Sequence, residues 1–90
     1  MEFEWDNEKS RTNKDKHGID FNAAREMWRD SNRVEIQSSF SHEDRNILIG
    51  KIGRKLWTAI YTYRGNNIRI ISVRRGREKE IKLYEQKKVS

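Results

Sequence analysis

The 90-residue chain is 38% charged and 33% hydrophobic, which allows one small domain, residues 1–90, with a lean core. It has no cysteine and two histidines, so disulfides, a thiolate metal site and a cysteine nucleophile are excluded and a zinc site is not expected. Lys and Arg number 8 against 11 Asp and Glu in residues 1–45 and 12 against 3 in residues 46–90, so the excess of positive charge, +6 overall, lies in the second half.

A short strand and a helix are predicted at the start of the chain. Phe3 and Trp5 alternate with glutamates, which is typical of a half-buried edge strand. Asp6 can cap a helix that continues to about His17 and ends at Gly18, because glycine readily adopts the left-handed conformation of a helix C-cap. Nearly all residues of this helix are polar, so we expect it to lie on the surface.

A second helix is predicted between Asp20, whose side chain can cap it, and a turn near Asp30. Apolar residues recur at i, i+3 and i+7, which gives the helix one apolar face made of Phe21, Ala24 and Trp28. We therefore expect this helix to pack on the core.

After the second helix the hydrophobic period changes to two, which predicts strands. These strands cover residues 34–36, 47–49, 56–63 and 68–73, with a polar loop over 37–44 and a turn at 51–54. The last two strands are joined through Gly65, Asn66 and Asn67, which are expected to supply the positive φ angles of a tight hairpin.

A closing helix over residues 78–87 is expected to bury Ile81 and Tyr84 and to carry an i, i+4 ion pair between Glu78 and Lys82. The order of elements is then β-α-α-β-β-β-β-α. It predicts the α+β class, with an antiparallel sheet of about four to five strands, two N-terminal helices and one C-terminal helix. We expect all of the helices to pack on one face of the sheet.

Three arginines, Arg74, Arg75 and Arg77, stand where the last strand gives way to the closing helix. Arginines held on a rigid strand end are typical of a phosphate-binding face, so RNA or DNA is the expected partner. Arg74 and Arg75 are adjacent on a strand and point to opposite faces, so one can lie in a cleft while the other faces solvent or pairs with Glu78 or Glu80. The alternative is that both are solvated surface charge.

Ordered motifs extend over nearly the whole sequence: Phe3-Glu4-Trp5-Asp6 with Lys9 and Asn13, Lys16-His17-Gly18-Ile19-Asp20-Phe21, Tyr61-Thr62, Arg64-Gly65, and Arg69-Ile70-Ile71-Ser72 followed by Arg74-Arg75. Together they resemble the BrnT toxins of bacterial type II toxin–antitoxin modules, which share a fold with RelE-like ribonucleases. The resemblance implies a toxin that cleaves RNA without a metal or other cofactor and inhibits translation. It also implies a cognate BrnA-type antitoxin, in a heterotetramer of two toxins and two antitoxins.

The distribution of carboxylates fits cleavage without a metal. The basic half contains only Glu78, Glu80 and Glu85, all on one predicted helix, whereas two-metal nuclease chemistry needs clustered carboxylates near the cationic face. Cleavage would then use the 2′-hydroxyl of RNA as the nucleophile. The protein would bind the phosphate, stabilise its developing charge and transfer protons.

Five residues are candidates for catalysis. Arg74 and Arg75 are assigned to the charge of the transition state, because a guanidinium presents a planar fork that matches phosphate. Arg64, at the hairpin tip, is either a phosphate contact or a solubilising turn residue, and the resemblance favours the contact. His17 is either a general acid or base or a residue that caps helix carbonyls. Lys16 either contacts the scissile phosphate or only interacts with the helix dipole.

Five further residues are candidates for RNA binding: Arg69, Arg77, Trp57, Tyr61 and Tyr63. Arg69 lies in mid-strand and could equally belong to a structural ion pair. The three aromatic residues are two or four positions apart and therefore share one strand face. Core packing is the default for such a stripe, and stacking on unpaired bases is the alternative.

Two other function classes remain open. The same basic face could belong to a non-catalytic nucleic-acid-binding module, or to an interaction protein that meets an acidic partner. The first residues lack the basic segment and apolar run of a signal peptide, and no apolar stretch is long enough to span a bilayer. We therefore expect a cytoplasmic protein that acts on RNA and has no contact with a membrane.

Overall fold

The computed structural model describes residues 2–38 and 45–89. Its elements are β1 Phe3–Glu4, α1 Asn7–His17, α2 Phe21–Ala24, a 3₁₀-helix Arg25–Arg29, β2 Val34–Ser38, β3 Arg45–Ile52, β4 Lys55–Arg64, β5 Asn67–Arg75 and α3 Glu78–Val89. The sheet has the order β1-β5-β4-β3-β2, with β1 parallel to β5 and the other neighbours antiparallel. The predicted α+β class is confirmed. No helix within the described ranges is both long and apolar enough to cross a bilayer.

The predicted caps of the first two helices are confirmed. The Asp6 carboxylate accepts hydrogen bonds from the backbone N–H groups of Glu8 and Lys9, at 2.9 and 3.2 Å, and so begins α1. Gly18 ends α1 with a φ of 80°, in the left-handed region that glycine adopts without steric cost. Asp20 accepts from the N–H of Ala23 at 2.8 Å and begins α2. These termini depend on neighbours in the sequence, which is why the pattern predicts them.

The core face of the second helical segment differs from the prediction. The buried residues are Phe21, Ala24 and Met27, whereas Trp28 is only partly buried. The α-helix gives way to a 3₁₀-helix after Ala24, and its three residues per turn place every third side chain on the same side. Gly50 lets this helix approach β3, because a Cβ atom there would lie 3.0 Å from the carbonyl oxygen of Met27.

Helices cover both faces of the sheet, and the expectation that they share one face was wrong. Leu48 belongs to the larger core, between the sheet and the α2–3₁₀ segment. The next residue, Ile49, faces the other way and packs with Leu56 and with Tyr84 of α3. Strand β3 therefore has apolar side chains on both faces, and a helix must pack on each face to bury them.

The strands are longer than predicted, and in the two hairpin turns that the structure describes only a glycine has a positive φ. β2 continues to Ser38, into the predicted polar loop; the part of that loop at residues 39–44 lies outside the described residues. Gly53 and Gly65 begin the two-residue turns with φ of 61° and 59°. No described asparagine has a positive φ, so that part of the hairpin prediction was wrong. Glycine at the first central position is typical of a type II′ turn.

Helix α3 contacts the sheet through fewer residues than its sequence suggested. Tyr84 is buried and donates a hydrogen bond from its hydroxyl to Oδ2 of Asp30 at 2.8 Å. Ile81 was predicted to be buried but is exposed; α3 packs against the sheet through Tyr84, which lies with Ile49 and Leu56. The predicted ion pair between Glu78 and Lys82 is present at 3.5 Å.

Candidate nucleic-acid interface

A single amide side chain holds α1 along the edge of β5. Strand β1 pairs only with Ile68 and Arg69, so the rest of that edge lacks a strand partner. Asn13 takes the place of a strand there: its Nδ2 donates to the carbonyl oxygen of Val73 at 2.9 Å, and its Oδ1 accepts from the Val73 N–H at 3.1 Å. The same Nδ2 also donates to the carbonyl of Ile19 at 2.8 Å. These buried bonds determine the position of α1.

A polar stripe of α1 is left beside the sheet. The helix docks through buried polar groups, since the Ser10 hydroxyl also accepts a hydrogen bond from the Phe21 N–H at 2.9 Å. Lys9, Thr12 and Lys16 are spaced at i, i+3 and i+7 and therefore follow one side of the helix. All three are exposed, and they form one wall of the concavities described below.

A β-bulge lies in β5 opposite this wall. Ile60 of β4 pairs with Ser72 and the next residue, Tyr61, pairs with Ile70, which leaves Ile71 without a partner. A bulge changes the alternation of side chains and bends the strand. Ile71 lines the concavities on both sides of this point.

Helix α1 and strands β3, β4 and β5 border two adjoining concavities that share Lys9 and Ile71. The first is lined by Lys9, Arg45, Thr62, Tyr63, Arg64, Arg69 and Ile71, and the second by Lys9, Thr12, Asn13, Lys16, His17, Ile71 and Ser72. We call the two together the basic groove, because five of the lining side chains are cationic. Alternation along β4 and β5 places Thr62 and Arg69 on the sheet face opposite the larger core.

Two arginines of the basic groove share the carboxylate of Glu4. Arg69 Nη1 donates to Glu4 Oε2 at 3.0 Å, and Arg64 Nη1 lies 3.7 Å from the same oxygen. The other oxygen accepts from Nδ2 of Asn67 at 3.3 Å. The hydrogen bonds from Asn67 and Arg69 lower the pKa of Glu4, so the carboxylate is charged at neutral pH. Each guanidinium keeps N–H groups beyond those that face Glu4.

Arg74 is bound outside the groove to a carboxylate of its own. Its Nη1 and Nη2 donate to Oε1 and Oε2 of Glu80 at 2.8 and 2.7 Å. Glu80 also accepts from the backbone N–H of Arg77 at 2.7 Å, which completes half of a capping box at the start of α3. Partial burial acts to raise the pKa of Glu80, but the bonds from Arg74 and Arg77 outweigh it and hold the pKa at about 2. This is the pairing that the sequence left open for one of the two adjacent arginines.

Arg75 points to the opposite face of the sheet from Arg74, as predicted for adjacent strand residues. Its guanidinium lies 5.4 Å from the centroid of the Trp57 ring. Trp57 and Tyr61 are 8% and 2% exposed within the larger core, so they offer no ring face to a base and the structure favours core packing for both. Tyr63 is 50% exposed and borders the groove, while its ring packs edge-on against that of Tyr61, with 5.7 Å between the centroids.

The structure thus divides the predicted site residues into two groups. Arg64, Arg69, Tyr63, Lys16 and His17 line the basic groove. The residues outside its lining are the other predicted arginines and two of the aromatic residues: Arg74, Arg75, Arg77, Trp57 and Tyr61.

Several residues that line the groove had no predicted role. Lys9 and Thr12 belong to this group, as does Arg45, which follows the part of the chain outside the described ranges. The spacing of Lys9, Thr12 and Lys16 in a helix without an apolar face was the available signal. Within residues 2–38 and 45–89, no three His, Asp or Glu side chains come together as possible metal ligands.

Comparison with known proteins identifies the family. A family model described as the ribonuclease toxin, BrnT, of type II toxin–antitoxin systems matches residues 5–80, which include every residue that lines the basic groove. No curated protein matches the chain significantly. Because the model covers most of the 90 residues, the chain belongs to the BrnT family of ribonuclease toxins.

Proposed function

We propose that this toxin is an endoribonuclease that binds RNA in the basic groove, cleaves it without a metal ion and so inhibits translation in the cytoplasm. The observation that carries the proposal is the convergence of two structural units on one cationic surface. Lys9, Lys16 and His17 come from α1, while Arg64 and Arg69 come from the β4–β5 hairpin. Phosphate groups of RNA are the ligands that such a surface attracts.

Arg64 and Arg69 are assigned to the scissile phosphate. A guanidinium is a planar donor that can bind two phosphate oxygens, and it keeps its charge at every physiological pH. Both residues sit on the β4–β5 hairpin, a rigid support, and both already face one anion, the carboxylate of Glu4. Donors that are oriented before the substrate arrives stabilise developing charge best. Tyr63 is half exposed, and its ring lies on the sheet face of Tyr61, across the strand from the arginines, so it could stack on an unpaired base that passes over the edge of the hairpin.

His17 and Lys16 are assigned to proton transfer and to the leaving group. They line the part of the groove that adjoins the arginines through Lys9 and Ile71. In the proposed reaction the 2′-hydroxyl of RNA attacks the adjacent phosphorus atom, and the bond from phosphorus to the 5′-oxygen breaks. The 2′-hydroxyl loses its proton and the 5′-oxygen gains one, which leaves a 2′,3′-cyclic phosphate on the first product. An imidazole is a side chain that can transfer such protons near neutral pH.

The charge of the groove supports a mechanism without a metal. Lys9, Arg64 and Arg69 lie around the proposed phosphate position and repel a divalent cation while they attract phosphate. These three side chains can neutralise the negative charge that develops in the transition state. In two-metal nucleases the metal ions have that role.

The test is incubation of the purified protein with a defined single-stranded RNA in EDTA. We expect cleavage, with products that carry 2′,3′-cyclic or 3′-phosphate ends. A His17→Ala/Lys16→Ala variant purified by the same steps is the control for contaminating nuclease, and it should bind the RNA but leave it intact. Cleavage that stops in EDTA and returns with Mg²⁺ would contradict the mechanism. Binding without cleavage by the unchanged protein would support a non-catalytic binding module instead.

We also propose that a cognate antitoxin of the BrnA type neutralises the toxin by covering the basic groove, in a complex of two toxins and two antitoxins. The toxin–antitoxin family implies the partner, and the net charge of +6 favours a fast encounter with an acidic one. Co-expression with the neighbouring gene, followed by size-exclusion chromatography with light scattering, measures the stoichiometry. A toxin that arrests growth equally with and without that gene product would contradict the proposal.

A further inference from the structure

An acidic side chain occupies a defined position at the wall of the basic groove. Glu4 belongs to β1, which pairs with β5 in parallel and places Glu4 beside Arg69. The backbone N–H of Ile68 donates to the carbonyl of Glu2 at 2.8 Å and holds this short strand in register. Phe3 and Ile68 face the larger core, so Glu4 and Arg69 face the groove side of the sheet.

We propose that Glu4 is a positioning residue of the ribonuclease reaction, whose carboxylate holds the guanidiniums of Arg64 and Arg69 in the orientation that meets the phosphate. The inference rests on the function proposed above and adds to it a residue that does not contact the RNA. One oxygen of Glu4 serves both arginines through their Nη1 atoms, which leaves the other N–H groups of each for a second anion.

The need for such a residue follows from charge and from side-chain freedom. Arg64 and Arg69 repel each other, and a negative charge between them offsets the repulsion. Arg64 lies at a hairpin tip with 64% of its side chain exposed, so without a partner it would sample many rotamers. Misplacement of a catalytic group by about 1 Å can reduce a rate by roughly a hundredfold, so orientation has a large effect on turnover.

Glu4 has two effects on the reaction, and they have opposite signs. Its negative charge beside the groove opposes the binding of phosphate, so its removal should tighten RNA binding. Its hold on the two arginines promotes the chemical step, so its removal should slow turnover. A residue that only balanced charge would change binding and leave kcat as it was.

The experiment compares Glu4→Gln with Glu2→Gln, which removes the same charge from an exposed residue at the same end of the chain. We would measure kcat for a short RNA in EDTA, and Kd for the same sequence with 2′-O-methyl groups, which block cleavage. Glu4→Gln should lower kcat by roughly tenfold to a hundredfold and should lower Kd as well. Glu2→Gln should change kcat less than about twofold.

Glu4→Asp is the second variant and covers the case in which Glu4→Gln does not fold. It keeps the charge but withdraws the carboxylate by one methylene, so positioning predicts a lower kcat at an unchanged Kd. An unchanged kcat in a folded Glu4→Gln or Glu4→Asp protein overturns the inference, as does an equal loss in Glu2→Gln. If the unchanged protein does not cleave RNA, the proposed function fails first and the inference fails with it.

Discussion

The two ends of β5 carry arginines in opposite electrostatic situations. Near the start of the strand, Arg69 shares the carboxylate of Glu4 with Arg64, so two guanidiniums have one negative partner between them. At the other end, Arg74 has Glu80 as its own partner and binds both of its oxygens. A shared carboxylate leaves positive charge for a ligand, and a matched pair does not. The role of an arginine in this strand therefore depends on how its charge is balanced.

The two ends also differ in exposure to water. The side chain of Arg64 is 64% exposed, whereas those of Arg74 and Glu80 are 26% and 16% exposed. When a bidentate pair is largely removed from water, the loss of one partner leaves the other charge poorly solvated. We therefore expect changes at the start of β5 to alter RNA cleavage and changes at its end to alter stability.

The largest effect is expected from Arg64→Ala combined with Arg69→Ala. Removal of one preorganised donor reduces kcat by roughly 10²- to 10³-fold, so loss of both should reduce cleavage by at least about that factor. The midpoint of urea unfolding should stay close to that of the unchanged protein, because these side chains are partly exposed. Initial rates of RNA cleavage and urea titrations measure the two effects.

The matched control lies at the other hairpin. Arg54→Ala combined with Lys55→Ala also removes two positive charges from exposed positions, but at the β3–β4 turn. It should leave kcat within about threefold of the unchanged value, since exposed charges far from the groove act only through the screened long-range field. An equal loss in both double variants would show that net charge, and not the groove, governs cleavage.

Arg74→Ala is expected to act mainly on stability. Glu80 would lose both bonds from the guanidinium while still partly buried, which lowers the free energy of unfolding by about 2 kcal/mol. Arg74→Lys should recover part of the loss, because lysine keeps the charge without the planar fork. Urea unfolding measures the change, and the folded fraction should still cleave RNA. A stable but inactive Arg74→Ala protein would restore the catalytic role that the sequence suggested.

The stability of the protein should depend on pH through Glu80, the partner of Arg74 at the end of β5. The folded pKa of Glu80 is about 2, below its ordinary value of 4.5, so its contribution is fully present above about pH 4.5 and is lost as the pH falls toward 2. In Glu80→Gln this part of the acid sensitivity should disappear. Glu78→Gln is the control, since Glu78 is exposed in its pair with Lys82. Identical acid profiles for both variants would contradict the assignment.

The smallest effect is expected from Arg75→Ala. Its guanidinium lies over Trp57 on the opposite face of the sheet from Arg74, and a partly exposed cation–π contact is worth about 0.5–1 kcal/mol. Urea unfolding should show a change of that order or less, and the fluorescence of the protein should shift because a charge leaves the indole ring. A loss of cleavage as large as that of the Arg64 and Arg69 variant would place Arg75 in the reaction.

Features that depend on neighbouring residues could be predicted from the sequence. Asp6 and Asp20 cap helices, Gly18 ends one and Gly65 begins a tight turn, because each interaction spans only a few positions. Hydrophobic period predicted the strands for the same reason, although not their full lengths. The prediction of the buried face of the second helical segment was wrong in part. Met27 is buried in place of Trp28, because the segment continues as a 3₁₀-helix after Ala24.

The candidate site could be predicted only in part. His17, Lys16, Arg64, Arg69 and Tyr63 are residue types that suit RNA cleavage, and all of them line one groove. Their proximity depends on α1 lying along the edge of β5 through the side chain of an asparagine, a contact between positions sixty residues apart. A contact between residues so far apart in the sequence cannot be predicted from local patterns.

The sequence determines how many arginines the chain has and where they stand along it. Only the tertiary structure decides which of them line the basic groove and which are paired outside it. Glu4 reaches Arg69 because β1 pairs in parallel with a strand near the other end of the chain. Glu80 reaches Arg74 because α3 turns back over the sheet after Gly76. Coulomb energy depends on distance in space, so the partner that each arginine meets is settled only when the strands are paired.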